Sequence, residues 1–116
     1  MRRLQNFIGG QYVAPKSGKY AELINPGTGK PFAETPISDA SDVDAAMKAA
    51  AGAFSTWKRT TPSQRSLMLL QIADLIEQHK EEIVALETEN CGKITALTLS
   101  EEIPPMIDQI RFFASA

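Results

Sequence analysis

The sequence predicts an α/β protein in which residues 1–37 form β-hairpins and residues 38–116 form a bundle of helices. Glycine and proline punctuate the first range and separate short apolar runs, which is typical of strands joined by turns. Both become sparse after Ile37, where apolar side chains recur at steps of three and four, as on an amphipathic helix. A length of 116 residues with 43% hydrophobic and 22% charged residues is ordinary for one globular domain.

Two hairpins are predicted because turn residues separate two pairs of apolar runs. Gly9-Gly10-Gln11 suits a tight turn, since glycine reaches positive φ without steric cost. Asn25-Pro26-Gly27 begins the second turn. The four predicted strands are Asn6–Ile8, Tyr12–Val13, Ala21–Ile24 and Pro31–Glu34. An irregular loop is the alternative for each pair.

Four helices are predicted from apolar stripes and from the residues that begin or end them. Asp39 precedes the first stripe as a capping residue, and Thr61, Pro62 and Gln64 form a capping box before the second. Gly92 suits the end of the third helix. The predicted helices are Ala40–Ser55, Pro62–Gln78, Ile83–Cys91 and a last one that opens at Pro104-Pro105.

The apolar stripe of the last helix is still running at Ala116. No glycine, lysine or capping residue closes this helix, as would be usual at a helix end. The members of the stripe are Ile103, Met106, Ile107, Ile110, Phe113 and Ala114. We therefore expect the chain to be the front part of a longer protein.

Charge and hydropathy argue against several classes of partner. Twelve Lys and Arg against fourteen Asp and Glu give a net charge of -2, where nucleic-acid binders are normally strongly positive. No run approaches the roughly 18 apolar residues of a membrane helix, and Arg2-Arg3 is not followed by the apolar core of a signal peptide. The single cysteine cannot form an internal disulfide. We expect a cytoplasmic protein with no nucleic-acid or membrane partner.

No residue of the chain is predicted to be catalytic or to bind a cofactor. Gly29-Lys30 and Gly92-Lys93 lack both the earlier glycine and the following Ser or Thr of a phosphate-binding loop. Gly27-x-Gly29 starts a dinucleotide-binding fingerprint, but Phe32 stands where its third glycine belongs.

The potential metal-binding and nucleophilic side chains have simpler explanations. Cys91 follows an apolar helix and is expected to be a buried, inert thiol, while His79 is expected on the surface. A Cys–His catalytic pair is the alternative, whereas one of each cannot complete a tetrahedral zinc site. Asp39, Asp42 and Asp44 are assigned to a helix N-terminus, where the helix dipole favours acids.

Six segments of the chain follow one another in a recognisable order. They are Phe7–Val13, Ile24–Gly29, Asp42–Ala46, Ala53–Trp57, Arg65–Leu75 and Leu86–Lys93. Together they resemble the amino-terminal segment of the NAD(P)-dependent aldehyde dehydrogenase superfamily over essentially the whole chain. The ending Glu102–Ala114, with Asn90–Lys93 before it, looks most like the bacterial aminobutyraldehyde branch of putrescine degradation. Betaine aldehyde dehydrogenases are similar to that branch.

The resemblance implies a longer parent enzyme, a homo-oligomeric dimer or tetramer, that oxidises an aldehyde to the acid with NAD, with NADP left open. It implies an aminoaldehyde such as 4-aminobutanal as substrate. In this family a cysteine attacks the aldehyde, hydride passes to NAD, and a glutamate activates the water that hydrolyses the thioester. These residues lie downstream in the family, and Cys91 matches a non-catalytic position. The chain is then the first part of a Rossmann-like NAD-binding domain and is inactive alone.

Four positions are carried over from the family by resemblance. Ile24, through its carbonyl, and Asn90 match a monovalent-cation site whose further ligand lies beyond Ala116, and Asn90 replaces an aspartate of many relatives. Glu102 and Pro105 match a helix that lines the substrate tunnel, where a carboxylate would attract an ammonium group. The simpler alternatives are a turn and a helix end for the first pair and an N-terminal helix acid for Glu102.

The sequence leaves a second function open. The stripe that ends at Phe112-Phe113 is also consistent with a free-standing, non-catalytic helical module that binds a partner protein.

Overall fold

A computed structural model describes residues 1–116, which divide into two compact units, called here unit 1 (Met1–Arg59) and unit 2 (Thr60–Ala116). Unit 1 contains every strand and the first helix, and unit 2 contains the remaining helices. The predicted α/β class, with strands first and helices after, is confirmed. None of the helices is both long and apolar enough to cross a membrane.

The strands of unit 1 form two separate sheets. They are β1 (Arg2–Arg3), β2 (Asn6–Ile8), β3 (Gln11–Val13), β4 (Tyr20–Asn25) and β5 (Lys30–Pro36). β2 and β3 pair antiparallel, whereas β5 lies between an antiparallel β4 and a parallel β1. Both predicted hairpins are therefore confirmed. β1 was not predicted, because a strand of two residues is too short to show a periodic pattern.

The two hairpin turns have the backbone chemistry that their sequences predict. Gly9 and Gly10 have φ of 61° and 81°, a region that other residues adopt only with strain. In the second turn, Oδ1 of Asn25 accepts a hydrogen bond from the amide of Gly27 at 2.8 Å. The Asn25 carbonyl oxygen accepts another from the amide of Gly29, also at 2.8 Å. Asparagine begins the turn because it can bond to the backbone two residues ahead.

Helix α1 (Ala40–Trp57) is anchored within unit 1 by a buried carboxylate. Asp39 caps the helix and accepts a hydrogen bond from the amide of Ser41 at 2.8 Å. Asp42 is only 5% exposed, and its two oxygens accept from the amides of Asp39 at 3.0 Å and Lys16 at 2.9 Å. The bond from Lys16 ties the helix to the segment between β3 and β4. Capping by these two acids is as predicted.

Unit 2 consists of four helices and one π-helical segment. They are α2 (Pro62–Gln78), α3 (Lys80–Cys91), α4 (Thr95–Leu97), the π-helical segment Thr98–Glu102 and α5 (Ile103–Ala114). The predicted capping box of α2 is present: Thr61 Oγ1 accepts from the Gln64 amide at 3.2 Å, and Gln64 Oε1 accepts from the Thr61 amide at 2.8 Å. Gly92 ends α3 with φ of 71°, also as predicted.

The predicted start of α3 at Ile83 is wrong, since the helix begins at Lys80. The polar residues before Ile83 do not break the chain's helical course, as a start at Ile83 would require. Glu81 and Glu82 instead form the first turn of α3, where the helix dipole favours negative charge. His79 alone separates α2 from α3.

The core of unit 2 consists of small and branched apolar side chains. Its buried members are Ala73, Val84, Ile103 and Ile107, against which Ile76, Ile83, Leu99 and Ile110 pack. Beside this core, Nη2 of Arg111 on α5 donates to Asp74 at 2.9 Å and to Glu77 at 2.7 Å, both on α2. Apolar packing and this ionic bridge together hold α5 against α2.

The π-helical segment was not predicted, and two prolines follow it in the first turn of α5. Proline has no N–H, so Pro104 and Pro105 cannot donate to the Ser100 carbonyl at α-helical or π-helical spacing. The amide of Ile103, just before these prolines, donates to the carbonyl of Thr98, five residues earlier. This wider turn places Glu102 immediately before α5.

Candidate functional site

Ile24, the first residue predicted to hold a cation, lies near the end of β4 in unit 1. Its side chain is 48% exposed, and the register of β4 against β5 shifts between Leu23 and Ile24. The residue opposite is Pro31, which has no N–H and cannot donate to the Ile24 carbonyl. A backbone carbonyl is an oxygen ligand of the kind that hard cations prefer.

Asn90, the second cation candidate, lies in the last turn of α3 in unit 2 and is exposed. Its Nδ2 lies 3.6 Å from Sγ of Cys91. The two cation candidates thus belong to different compact units. No group of three or more His, Cys, Asp and Glu side chains that could hold a metal ion occurs in residues 1–116.

Cys91 is exposed, so the prediction of a buried thiol is wrong. It lies on the same face of α3 as the buried Val84, about two turns further along. The core does not reach that far, because α3 ends at Cys91 and the chain turns at Gly92. His79 is exposed as predicted, and its Nδ1 lies 3.3 Å from Oε2 of Glu82.

The glycines that start a dinucleotide-binding fingerprint lie in a hairpin turn. Gly27 and Gly29 stand between the antiparallel strands β4 and β5. A dinucleotide loop instead joins a strand to a helix, whose N-terminus receives the pyrophosphate. The turn that contains Gly27 and Gly29 therefore does not have the strand-to-helix geometry that binds the pyrophosphate of NAD.

Glu102 and Pro105, predicted to line a substrate tunnel, lie where the π-helical segment meets α5 in unit 2. Both are exposed. The Glu102 side chain makes no capping hydrogen bond to α5. Its Oε2 accepts instead from Nζ of Lys93 at 2.7 Å. Its hydrogen bonding therefore does not match that of an acid that caps the helix.

Lys93 connects Glu102 to a second carboxylate, Glu87, and these three residues are called here the Lys93 cluster. Nζ of Lys93 is 2.7 Å from Oε2 of Glu102 and 3.3 Å from Oε1 of Glu87. The hydrogen bonds to Glu102 and then Glu87 raise the pKa of Lys93 above its ordinary 10.5. One ammonium and two carboxylates leave the cluster with a single net negative charge at neutral pH.

The sequence alone did not predict Lys93 and Glu87 as neighbours of Glu102. Lys93 and Glu102 are nine residues apart, and the segment between them contains α4 and the π-helical turn, neither of which was predicted. One signal was present in the sequence. Gly92 ends α3, so the residue after it turns back toward the last turns of that helix, where Glu87 lies.

A sequence profile described as the aldehyde dehydrogenase family matches residues 12–116. The chain is 44% identical over 114 residues to a probable aldehyde dehydrogenase of Mycobacterium tuberculosis, covering 98% of this chain and 22% of that protein. It is also 44% identical over 112 residues to an acetaldehyde dehydrogenase of Pseudomonas aeruginosa, covering 97% of this chain and 22% of that protein. The chain thus spans about 22% of the length of these curated relatives.

A solved structure matches the fold of nearly the whole chain. It is an NAD+ complex of an aldehyde dehydrogenase from Bacillus cereus, with a TM-score of 0.93 and 34% sequence identity. The match covers 98% of this chain and 24% of that one. The curated relatives are named for several different aldehydes, among them acetaldehyde, long-chain aldehydes and 2-aminomuconic semialdehyde, so their names do not single out 4-aminobutanal.

Proposed function

Since this chain belongs to the aldehyde dehydrogenase family, we propose that it is the amino-terminal part of an enzyme that oxidises an aldehyde to the carboxylic acid with NAD. The match over residues 12–116 and the fold shared with an NAD+ complex support this function. NAD, when bound, takes up the hydride that the aldehyde loses. Family membership favours this function over a free-standing interaction module.

The catalytic nucleophile and the nucleotide loop are proposed to lie outside residues 1–116. A nucleophilic thiol needs a base or a positive charge beside it. Cys91 contacts the Asn90 amide, and the imidazole of His79 contacts Glu82 instead. The contribution of this segment is then structural, as the first part of the NAD-binding domain. The whole enzyme is proposed to be a cytoplasmic homodimer or homotetramer.

Within this function, an aminoaldehyde such as 4-aminobutanal is the proposed substrate, with Glu102 and Pro105 in its tunnel. The exposed carboxylate of Glu102 and the net negative charge of the Lys93 cluster support this choice. A carboxylate several ångströms from an ammonium group contributes on the order of 1 kcal/mol at intermediate dielectric. Pro105 fixes the backbone beside it through its restricted φ.

The Ile24 carbonyl and the Asn90 amide oxygen are also proposed, each by itself, as ligands of a monovalent cation, with further ligands outside this chain. Both donors are neutral oxygens. Such donors match a singly charged ion better than a divalent ion, for which proteins usually supply carboxylates. Pro31, which pairs with Ile24, has no N–H to donate to that carbonyl, and this supports the first ligand.

The test measures NADH formation by the full-length enzyme that contains this segment, with 4-aminobutanal and uncharged butanal as substrates. Glu102→Gln should raise the KM for 4-aminobutanal about fivefold and leave kcat unchanged, because it removes an attraction present before and during reaction. Glu101→Gln removes the neighbouring exposed acid and serves as the matched control. The KM for butanal should not respond to Glu102→Gln.

Four outcomes would contradict parts of this proposal. Absence of NADH formation with every aldehyde would overturn the enzymatic function. Equal losses on charged and neutral substrates would show that Glu102 acts only on the fold. Loss of turnover in the full-length Cys91→Ala variant would show that Cys91 is catalytic. The same conclusion would follow if the 116-residue chain alone formed NADH and Cys91→Ala abolished that activity.

A further inference from the structure

Lys93 donates a hydrogen bond to Glu102, the carboxylate to which a cationic substrate binds in the proposed function. Its Nζ is 2.7 Å from Glu102, a full charge-assisted hydrogen bond, and 3.3 Å from Glu87, a looser contact. The side chains are 41% exposed for Lys93, 51% for Glu102 and 38% for Glu87. All three are thus accessible to solvent and to a ligand.

We propose that Lys93 is a positioning residue that competes with the substrate ammonium group for Glu102 and shifts to Glu87 when a cationic aldehyde binds. This inference rests on the proposed function, in which Glu102 faces the substrate. Glu87 is then the residue that receives Lys93, and the balance between the two contacts sets the preference for charged over neutral aldehydes.

The charges of the cluster fit such an exchange. Without a ligand, one ammonium is shared by two carboxylates, and a single negative charge is left over. A second ammonium group from the substrate would bring the cluster to neutrality, with one cation on each carboxylate. The shift needs no new acceptor, because Glu87 already lies 3.3 Å from Nζ.

The side-chain chemistry of lysine also favours this exchange. Its ammonium group is a compact charge on a flexible four-carbon stem, without the fixed two-pronged geometry that holds an arginine on one carboxylate. An exposed ion pair is weak, so a competing cation can displace it at little cost.

The two neighbours of Glu102 should therefore act in opposite directions on the full-length enzyme. Lys93→Gln removes the competitor and should lower the KM for 4-aminobutanal about threefold, the range of an exposed ion pair. Glu87→Gln leaves Lys93 with Glu102 as its only carboxylate and should raise that KM by about as much. In both variants the change should fall on KM for the charged substrate rather than on kcat.

Two further variants separate charge from structure. Lys93→Arg keeps the cation and should retain a KM for 4-aminobutanal above that of Lys93→Gln. Lys80→Gln removes a lysine of unit 2 that is outside the cluster and controls for the change in net charge. Thermal unfolding of each variant checks that the fold is intact.

Failure of this inference is distinguishable from failure of the proposed function. A selective effect of Glu102→Gln together with an unchanged or raised KM in Lys93→Gln would overturn the competition alone. If Glu102→Gln has no selective effect, the proposed tunnel role falls and the competition falls with it. Equal shifts for 4-aminobutanal and butanal in Lys93→Gln would also overturn the competition, because a purely structural role affects both substrates.

Discussion

Helix α1 in unit 1 and helix α5 in unit 2 both carry an apolar stripe, yet the structure covers the two stripes differently. On α1, Val43 is 58% exposed and Met47 is 64% exposed. On α5, Ile103 and Ile107 are each only 4% exposed and belong to the core with Val84. The α5 stripe is thus buried at Ile103 and Ile107, although Phe113 further along it is 65% exposed, whereas Val43 and Met47 on α1 are both exposed.

The contacts that hold each helix differ in the same way. Unit 1 has little apolar core, with Ala33 as its fully buried apolar side chain, and α1 is tied down by the buried carboxylate of Asp42. Unit 2 is held by the apolar core, assisted by the Arg111 bridge. Large exposed apolar surfaces usually mark a contact with another protein or domain. We expect the rest of the proposed enzyme to cover the stripe of α1.

The largest expected effect is on the apolar core of unit 2. Ile107→Ala should lower the free energy of unfolding of this unit by about 3 kcal/mol, because the deleted methyl groups leave a cavity among close-packed neighbours. Amide hydrogen exchange measures the stability of each unit separately. Phe112→Ala, on the same helix but at an exposed position, is the control and should cost less than about 1 kcal/mol. Similar losses in both variants would mean that helix α5 is not divided into a buried and an exposed face.

The next effect is on the polar anchor of unit 1. Asp42→Ala should destabilise α1 by about 1–2 kcal/mol, because the amides of Lys16 and Asp39 lose their acceptor. Asp44→Ala is the matched control, since Asp44 is an exposed acid in the same helix. Exchange rates of the α1 amides should rise in the first variant and hardly change in the second. An equal effect of the two substitutions would show that general helix-dipole charge, rather than the Asp42 hydrogen bonds, anchors α1.

The sequence predicted local features of both units well and long-range ones poorly. The Gly9-Gly10 turn and the Thr61 capping box were predictable because each depends on a few adjacent residues. The burial of Ile107 and the exposure of Met47 were not, since equal stripes on two helices do not say what packs against them. Of the candidate site, Glu102 was found by resemblance. Its contact with Lys93 depends on an unpredicted π-helical turn.

The smallest expected effect is a difference between the two units in how their amide protection depends on pH. The hydrogen bonds from the Ser41 hydroxyl and amide lower the pKa of Asp39 below its ordinary 3.8, and the hydrogen bond from Arg3 lowers the pKa of Glu34 below 4.5. A carboxylate with a lowered pKa in the folded state stabilises the fold above its unfolded pKa, and this contribution is lost as the pH falls through the folded value. Amide protection in α1 and β5 should therefore decline below about pH 4, before protection of the Ile103 and Ile107 amides in unit 2. Asp39→Asn keeps a capping side chain that does not titrate, so it should remove the part of the decline that belongs to the first turn of α1. Earlier loss of protection in unit 2 would reverse the comparison, because its stability would then depend on the Arg111 ion pairs more than on its apolar core.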